Sequence, residues 1–370
     1  MKYYILAGEA SGDLHGSNLI KALRLEDTNA DIRFWGGNLM QTAGGTLVTH
    51  YKERAFMGFS EVIMNLGKIF KFISNCKKDI KTFNPDVIIF IDNSGFNLRI
   101  AKWAKQEGFK THYYISPQVW ASRASRVKAI KRDIDAMYVI LPFVEDFYKK
   151  YTYKVNFVGH PLIDSIANRE QVNPNEFRKS YKLNDKPIIA LLPGSRKQEI
   201  KKMLSVMLNL VNEFMGYQFV IAGAPSQDFS FYKSFIKSEN VKFISNKTYD
   251  LLSVSTAALV TSGTATLETA LFKVPQVVCY KGSTISYQIA KRIVTLKFIS
   301  LVNLVMDKEV VTELIQNNFN KKRLKKELEH ILNPEIRKKL FIEYYELEKA
   351  LGGKGASKKT AKLIYKEIKA

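Results

Sequence analysis

The stretch "LAGEASGDLHGSNL", residues 6–19, decides how the chain begins to fold. An apolar run at residues 3–6 precedes it and predicts a strand, and the amphipathic residues 19–24 that follow predict a helix. A strand, a glycine-rich turn and a helix form the opening unit of a parallel α/β sheet, in which the turn commonly binds a phosphate. The chain is therefore expected to start with a Rossmann-like unit.

The side chains of this first turn do not suit a phosphate. Gly8, Gly12 and Gly16 are spaced four residues apart and do not follow the G-x-G-x-x-G pattern. Glu9 and Asp13 add two carboxylates that would repel a phosphate. The ligand of this loop must therefore be sought from the rest of the sequence.

Length and composition limit the class of protein. The 370 residues, 46% of them hydrophobic, are enough for two ordinary domains. No apolar run approaches the roughly 18 residues of a membrane span, and the chain enters its first strand too early for a signal peptide, which favours the cytoplasm. Cys76 and Cys279 are far apart in sequence and predict neither a disulfide framework nor a C-x-x-C metal site.

The net charge is unusually positive. There are 57 Lys and Arg residues against 35 Asp and Glu, a formal charge of +22. Such a field attracts nucleic acid, an anionic membrane surface or phosphorylated substrates. The many lysines and asparagines also fit the codon usage of an AT-rich genome, so charge alone does not choose between these explanations.

The chain alternates short β-rich runs with helical segments, which predicts parallel sheets covered by helices. A polar stretch separates two such series and predicts two αβα domains. We expect a first domain at residues 1–165, a linker at 166–187, and a second domain at 188–345. Residues 346–370 are expected to form a helical tail that packs back on the first domain.

Two loops in the second half suit a nucleotide. In "LLPGSRKQE", residues 191–199, Gly194, Ser195 and Arg196 follow a strand and precede a helix. Free backbone N–H groups at a helix start, beside a guanidinium, suit a diphosphate. A simple helix cap would explain the same residues.

The second loop, "TSGTATLETA" at residues 261–270, repeats the arrangement with Ser262, Gly263 and Thr264. Glu268 lies one turn into the following helix, where a carboxylate can accept hydrogen bonds from the two hydroxyls of a ribose. Helix capping explains either loop alone, but two such loops in one domain favour a nucleotide site.

The first half offers a different kind of candidate. Asp92 ends the most apolar strand, residues 87–91, where a carboxylate is costly to desolvate unless it has partners or a function. It could instead cap the next helix. The basic segment at 114–132 fits either a phosphate contact or a solvated face. Asp133 and Asp135 match a D-x-D pattern but precede a strand, so no metal site is predicted.

Residues 55–83 combine apolar side chains wider than one core stripe with lysines, as an interfacial helix or an acyl-chain groove requires. A helix packed on its sheet would explain part of the pattern. The residues expected to contact a membrane or acyl chains are Phe56, Met57, Phe59, Ile69 and Phe70.

Eight segments, which occur in order through most of the chain, together resemble the lipid A disaccharide synthase family of inverting GT-B glycosyltransferases. Family members often carry a second Asp shortly after the one matched by Asp92, whereas this chain has Asn93, Ser94 and Gly95. That departure weakens any mechanism that needs two carboxylates there. The matching segments are "GEASGD" (8–13), "MGFSEV" (57–62), "PDVIIFID" (85–92), "YISPQVWASR" (114–123), "VGHPLID" (158–164), "LLPGSR" (191–196), "SGTATLE" (262–268) and "SLVNL" (300–304).

The resemblance implies two Rossmann-like domains facing across a cleft, with the nucleotide in the second. It implies transfer of a sugar from UDP-2,3-diacylglucosamine to the 6-hydroxyl of 2,3-diacylglucosamine 1-phosphate, giving a β-1,6 disaccharide and UDP without a cofactor or metal. It also implies a peripheral enzyme on the cytoplasmic face of a Gram-negative inner membrane. The resemblance does not decide between a monomer and a homodimer, and no nucleic-acid partner is expected.

Within that resemblance, Asp92 matches the family's essential aspartate and is expected to be the general base, with Glu9 as the alternative. The opening loop can then face sugar hydroxyls. The residues expected to contact the sugar or the acceptor are Ser11, Gly12, Asp13, Trp120, Arg123, Arg126 and Asn303.

Two other classes of protein remain as alternatives. A related enzyme acting on a soluble UDP-sugar, such as a UDP-N-acetylglucosamine epimerase, would share the nucleotide loops but would have no use for residues 55–83. A nucleic-acid-binding α/β protein would exploit the charge, but the sequence contains no RNA-binding aromatic motif or helix-turn-helix.

Overall fold

The computed structural model describes residues 1–54, 66–122, 124–283 and 296–369. The chain divides into two compact units. Unit 1 comprises Met1–Asp164 and Leu351–Ala370, and unit 2 comprises Ser165–Ala350. Each unit contains one parallel sheet with helices, which confirms the two Rossmann-like αβα domains expected from the sequence.

Unit 1 is built on a seven-stranded sheet of order β3-β2-β1-β4-β5-β6-β7, and every strand pair in it is parallel. Its strands are β1 (Lys2–Ala7), β2 (Asp31–Gly36), β3 (Thr46–His50), β4 (Val87–Ile91), β5 (Thr111–Tyr114), β6 (Ala136–Val139) and β7 (Asn156–Phe157). The chain reverses its direction of travel across the sheet between β1 and β4. In an open α/β sheet, ligands bind beyond the carboxyl ends of the strands at such a point.

Helices connect these strands. They are α1 (Ala10–Glu26), α2 (Asn38–Ala43), α3 (Leu66–Phe83), α4 (Ser94–Gln106), α5 (Val119–Ser122), α6 (Val127–Asp133) and α7 (Phe143–Lys149), with 3-10 turns at Tyr51–Arg54 and Ala124–Arg126. Helix α8 (Pro161–Ala167) contains the boundary between the units. Every residue of β4 is buried, as expected for a central strand covered on both faces.

Unit 2 has a six-stranded parallel sheet of order β10-β9-β8-β11-β12-β13. Its strands are β8 (Ile188–Leu192), β9 (Gln218–Gly223), β10 (Val241–Ser245), β11 (Ala257–Thr261), β12 (Gln276–Tyr280) and β13 (Glu313–Ile315). Strands β8 and β11 are neighbours, so the loops that follow them, which carry the predicted nucleotide residues, lie at the same edge of the sheet.

The helices of unit 2 are α9 (Pro174–Ser180), α10 (Lys197–Met207), α11 (Phe229–Lys233), α12 (Thr248–Ser253), α13 (Thr264–Leu271), α14 (Leu301–Met306), α15 (Lys321–Leu332) and α16 (Pro334–Ala350), with 3-10 turns at Leu208–Glu213 and Gln316–Asn318. Helix α9 falls within the segment 166–187 that the sequence predicted as a linker. Its Phe177 is buried in the core of unit 2, and Val172, Tyr181 and Leu183 of the same segment pack against that core. This segment is therefore an integral part of unit 2.

The last helix, α17 (Ala356–Lys369), belongs to unit 1 and packs against α1. Ala361 and Ile364 are fully buried in the core of that unit. The Asp164 carboxylate accepts a hydrogen bond of 2.7 Å from the Gly355 amide at the start of the helix. The C-terminal part of unit 1 begins at Leu351, because α16, which ends at Ala350, belongs to unit 2.

Candidate functional site

A cavity of about 480 Å³ opens in unit 2 beyond the carboxyl ends of β8, β9 and β11. It combines residues from both glycine-containing loops singled out in the sequence. All seven residues predicted to contact the nucleotide line it: Gly194, Ser195, Arg196, Ser262, Gly263, Thr264 and Glu268. The structure therefore brings together residues of two loops that lie 66 to 74 positions apart in the chain.

The loop after β8 is held by an acidic side chain that the sequence analysis missed. The Ser195 amide donates a hydrogen bond of 3.0 Å to Oε2 of Glu199, in the first turn of α10. Gly194 has φ +100°, and a Cβ atom there would lie 2.1 Å from the same oxygen. The positive φ favours glycine at this position. Arg196, directly before α10, is exposed.

The loop after β11 presents the start of α13. Thr264 is the first residue of this helix and is exposed. The Ser262 hydroxyl donates to the carbonyl oxygen of Ile299 at 2.8 Å, so its proton is already used within the protein. The unpaired amides at the start of a helix favour an anion. An anionic group of a ligand therefore has two favourable partners in the cavity, the start of α13 and the exposed guanidinium of Arg196.

Glu268 supplies a half-buried carboxylate in the same cavity. Removal from water raises the pKa of its carboxyl group, and a hydrogen bond from the Tyr249 hydroxyl opposes that shift. The Tyr249 oxygen lies 2.8 Å from Oε1 of Glu268. Tyr249 was also missed by the sequence analysis, since it lies on α12, 19 positions before its partner.

A second group of candidates meets at the carboxyl edge of the sheet in unit 1. The loops after β1 and β4 are in close contact. The Asn93 side chain lies so near Gly8 that a Cβ atom there would be 1.9 Å from its Nδ2. Asn97, which is 1% exposed, joins the two strand ends. Its Nδ2 lies 3.3 Å from the Leu6 carbonyl oxygen and 2.8 Å from that of Asp92. Asn97 has a positioning role that the sequence analysis did not identify.

Asp92 lies in a sharp left-handed turn at the end of β4. Its φ is +45° and that of Asn93 is +43°, a conformation that non-glycine residues adopt infrequently. The residue is exposed, but the surrounding protein partly desolvates its carboxyl group. This desolvation, followed by the negative charge of Glu9, raises the pKa of Asp92. The two carboxylates predicted as alternative bases are therefore electrostatically coupled.

Asp13, which the resemblance predicts to contact the sugar or the acceptor, lies in the interior of unit 1. It is 4% exposed. Its Oδ1 accepts hydrogen bonds from the amides of Gly37 at 2.9 Å and Met40 at 3.0 Å, and its Oδ2 accepts one from Leu39 at 3.1 Å. These bonds satisfy the carboxylate at the start of α2, so Asp13 has a structural role.

Asn303, also predicted to contact the sugar or the acceptor, lies on α14. Its side chain is fully buried in unit 2. Its Nδ2 donates to the Val311 carbonyl at 2.8 Å and to Oε1 of Glu313 at 2.9 Å, and its Oδ1 accepts from the amides of Val310 and Val311. Both ends of the amide are hydrogen-bonded within the protein, so Asn303 joins α14 to the segment that leads into β13.

The other predicted sugar or acceptor residues belong to unit 1. Ser11 is exposed in the first turn of α1, whereas Gly12 is buried. A Cβ atom at Gly12 would lie 3.2 Å from the Cβ atom of Ala7, which is a tight contact. Trp120 is half-buried and packs edge-on against Phe143, with ring centroids 4.9 Å apart. Arg126 is exposed, and Arg123 lies outside the described residues.

The segment expected to meet a membrane is described only in part. Phe56, Met57 and Phe59 lie outside the described residues. On α3, Phe70 is 66% exposed and Ile69 is half-buried. Within the described ranges, no helix is both long enough and apolar enough to span a membrane. Nor do these ranges contain a cluster of three or more His, Cys, Asp or Glu residues suited to a metal ion.

Solved structures share this architecture at low sequence identity. The S. aureus MnaA–UDP co-structure matches with a TM-score of 0.69 and 14% identity, covering 100% of this chain and 97% of that chain. A Methanocaldococcus jannaschii UDP-GlcNAc 2-epimerase, in complex with UDP-GlcNAc and UDP, matches with a TM-score of 0.65 and 15% identity over the whole of both chains. At these identities the likeness establishes the fold alone.

The two parallel αβα units, with a cavity at the switch point of the second, have the architecture of the GT-B class. A family model described as lipid-A-disaccharide synthetase matches residues 3–366, and the chain belongs to that family. A lipid-A-disaccharide synthase of Syntrophus aciditrophicus is 39% identical, over 99% of this chain and 97% of the relative. One from Coxiella burnetii is 35% identical over 98% of each. These matches do not favour the epimerase alternative.

Proposed function

We propose that this enzyme transfers 2,3-diacylglucosamine from UDP-2,3-diacylglucosamine to the 6-hydroxyl of 2,3-diacylglucosamine 1-phosphate. The products would be a β-1,6-linked disaccharide 1-phosphate and UDP. Membership of the lipid-A-disaccharide synthetase family supports this reaction. The observation that carries the proposal in the molecule itself is the cavity of unit 2, which collects all seven expected nucleotide residues.

In this proposal the diphosphate of the donor binds at the starts of α10 and α13, beside Arg196. Backbone amides and a guanidinium stabilise the negative charge that grows on UDP as it leaves. The ribose hydroxyls bind the carboxylate of Glu268, which lines the same cavity. The nucleotide would thus be fixed at both its anionic and its ribose parts.

We assign the general base to Asp92. An inverting transfer requires the acceptor 6-hydroxyl to lose its proton to the base while its oxygen attacks the anomeric carbon, and the electron pair of the broken bond leaves with UDP. The exposed position of Asp92 suits contact with an acceptor hydroxyl, and its raised pKa makes it a stronger proton acceptor than an ordinary aspartate. Glu9 is the alternative base. The sequence Asn93-Ser94-Gly95 offers no second carboxylate directly after Asp92.

The acylated substrates would be reached at a membrane surface. Phe70 and the exposed lysines Lys68 and Lys71 lie together near the start of α3. An apolar side chain flanked by lysines suits the headgroup region of an anionic bilayer. This surface supports the location implied by the family resemblance, which we propose for this enzyme: a peripheral protein on the cytoplasmic face of a Gram-negative inner membrane.

The direct test is release of UDP from UDP-2,3-diacylglucosamine with and without 2,3-diacylglucosamine 1-phosphate. We expect UDP release that depends on the acceptor and a disaccharide 1-phosphate product of the expected mass. UDP release without the acceptor would contradict the transfer. Conversion of UDP-N-acetylglucosamine to its 2-epimer, with no reaction of the acylated donor, would support the epimerase alternative instead.

A further inference from the structure

The carboxylate of Glu268 is held by a partner outside the loops that the sequence singled out. The Tyr249 hydroxyl donates to its Oε1 at 2.8 Å, and the two residues come from different helices, α12 and α13. Thr248, next to Tyr249, lines the cavity together with Glu268. The bond therefore orients a carboxylate that a ligand in the cavity can reach.

The ring of Tyr249 is itself fixed by a cluster of side chains. Its centroid lies 5.2 Å from that of Phe272. The Arg169 guanidinium lies 5.3 Å from the same Phe272 ring and forms an ion pair with Asp250, the residue after Tyr249. The ring contact with Phe272 and the ion pair at the next residue restrict the movement of the Tyr249 side chain. The position of the hydroxyl is thus determined before any ligand binds.

We propose that Tyr249 is a positioning residue that orients Glu268 to accept both hydroxyls of a ribose, so that the cavity selects a nucleoside diphosphate with an intact diol. This inference rests on the proposed nucleotide site. A carboxylate without Tyr249 could rotate about its terminal torsion, which has broad minima. With one lone pair of Oε1 occupied, the carboxylate plane is fixed, and Oε2 and the remaining lone pair of Oε1 stay open to the diol.

The test compares the affinities of UDP and 2′,3′-dideoxy-UDP for the full chain by isothermal titration calorimetry. The wild type should bind UDP more tightly than the dideoxy nucleotide. In Tyr249→Phe, which keeps the ring and removes only the hydroxyl, UDP affinity should fall about fivefold, as expected for loss of one positioning hydrogen bond. The affinity of dideoxy-UDP should not change.

Two further variants separate positioning from a general effect on folding. Tyr217→Phe is the matched control, because Tyr217 is a half-buried tyrosine of the same unit that packs on Phe214, outside the residues lining the cavity. It should retain both affinities. In a Glu268→Ala background, Tyr249→Phe should cause no further loss of UDP affinity, because the two residues act through one contact.

Unchanged selectivity in Tyr249→Phe, or an equal loss of affinity for both nucleotides, would overturn the inference while leaving the nucleotide site intact. Failure of the wild-type chain to bind UDP would overturn the nucleotide site and this inference together. A further loss of UDP affinity in the Glu268→Ala background would likewise count against it, since Tyr249 would then act by another route.

Discussion

At the scale of single residues, burial and hydrogen bonding distinguish two carboxylates that look equally suited to a site in the sequence. Asp13 follows Gly12 in the glycine-rich loop, and Asp92 directly follows the apolar strand β4. Asp13 is buried and accepts three backbone amides, whereas Asp92 is exposed, with a pKa raised by desolvation and by Glu9. A carboxylate whose oxygens already accept three hydrogen bonds has little capacity for a substrate proton, whereas the carboxylate of Asp92 is exposed.

Replacing the proposed base tests that assignment directly. Asp92→Asn removes the proton acceptor, so kcat should fall by about 10²–10⁴-fold, the usual cost of losing a general base. UDP affinity should stay nearly unchanged, because Asp92 belongs to unit 1 and the expected nucleotide residues line a cavity of unit 2. Steady-state kinetics and UDP titration measure the two quantities. Near-wild-type turnover in Asp92→Asn, with loss of turnover in Glu9→Gln, would move the base to Glu9.

The coupling of the two carboxylates predicts a shift in the pH profile. Asp92 must be ionised to accept a proton, so activity is lost as pH falls through its raised pKa. Glu9→Gln removes a negative charge that contributes to that raised pKa. The acid limb of kcat/KM should therefore move to lower pH in Glu9→Gln. A profile that stays in place while activity remains would show that Glu9 does not act on the base electrostatically.

At the scale of secondary-structure elements, the sequence predicted the strand–loop–helix units that present the nucleotide residues. The apolar runs of β8 and β11 and the glycines after them are local signals, and parallel topology then brings their carboxyl ends to one edge. The partners of these loops were not predictable. Tyr249 and Glu268 lie on different helices, and only the tertiary structure brings them into contact. The sequence alone does not show whether an asparagine such as Asn303 binds a ligand or forms hydrogen bonds within the protein, as its four hydrogen bonds show here.

Helix α3 carries the prediction about membranes. Phe70 is 66% exposed on this helix, between Lys68 and Lys71, so Phe70→Ser should weaken binding to anionic vesicles by roughly tenfold, the free energy of burying much of one Phe side chain. Thermal stability should be unchanged because the side chain contributes little to the core. Cosedimentation with vesicles containing phosphatidylglycerol measures the binding.

A matched control for this variant is Met215→Ser in unit 2. Met215 is 59% exposed and lies outside α3, so this change should leave vesicle binding as it is. Equal binding by Phe70→Ser and the wild type would remove α3 from the proposed membrane surface. A lowered melting temperature for Phe70→Ser would instead indicate that this side chain contributes to folding.

At the scale of the whole molecule, the chain returns to its first unit at the end. Ile364 of α17 is completely buried in the core of unit 1, together with residues of β1 and α1. Two polar contacts fix this return: Asp164 accepts from the Gly355 amide, and Lys359 Nζ donates to the Phe157 carbonyl at 2.6 Å. Residues more than 190 positions apart in sequence thus stabilise a single unit.

The stability of unit 1 should therefore depend on the end of the chain. Ile364→Ala leaves a cavity in a fully buried site, which typically costs about 2–5 kcal/mol. Lys362→Ala, on the exposed side of the same helix, should change stability by less than about 0.5 kcal/mol. Hydrogen exchange of the full chain distinguishes the units: amides of β1 and β4 should exchange faster in Ile364→Ala, while those of β8 and β11 keep their protection, since they belong to a separate core. Equal loss of protection in both sheets would mean that the two units unfold as one cooperative body, and that α17 supports the whole molecule instead of unit 1 alone.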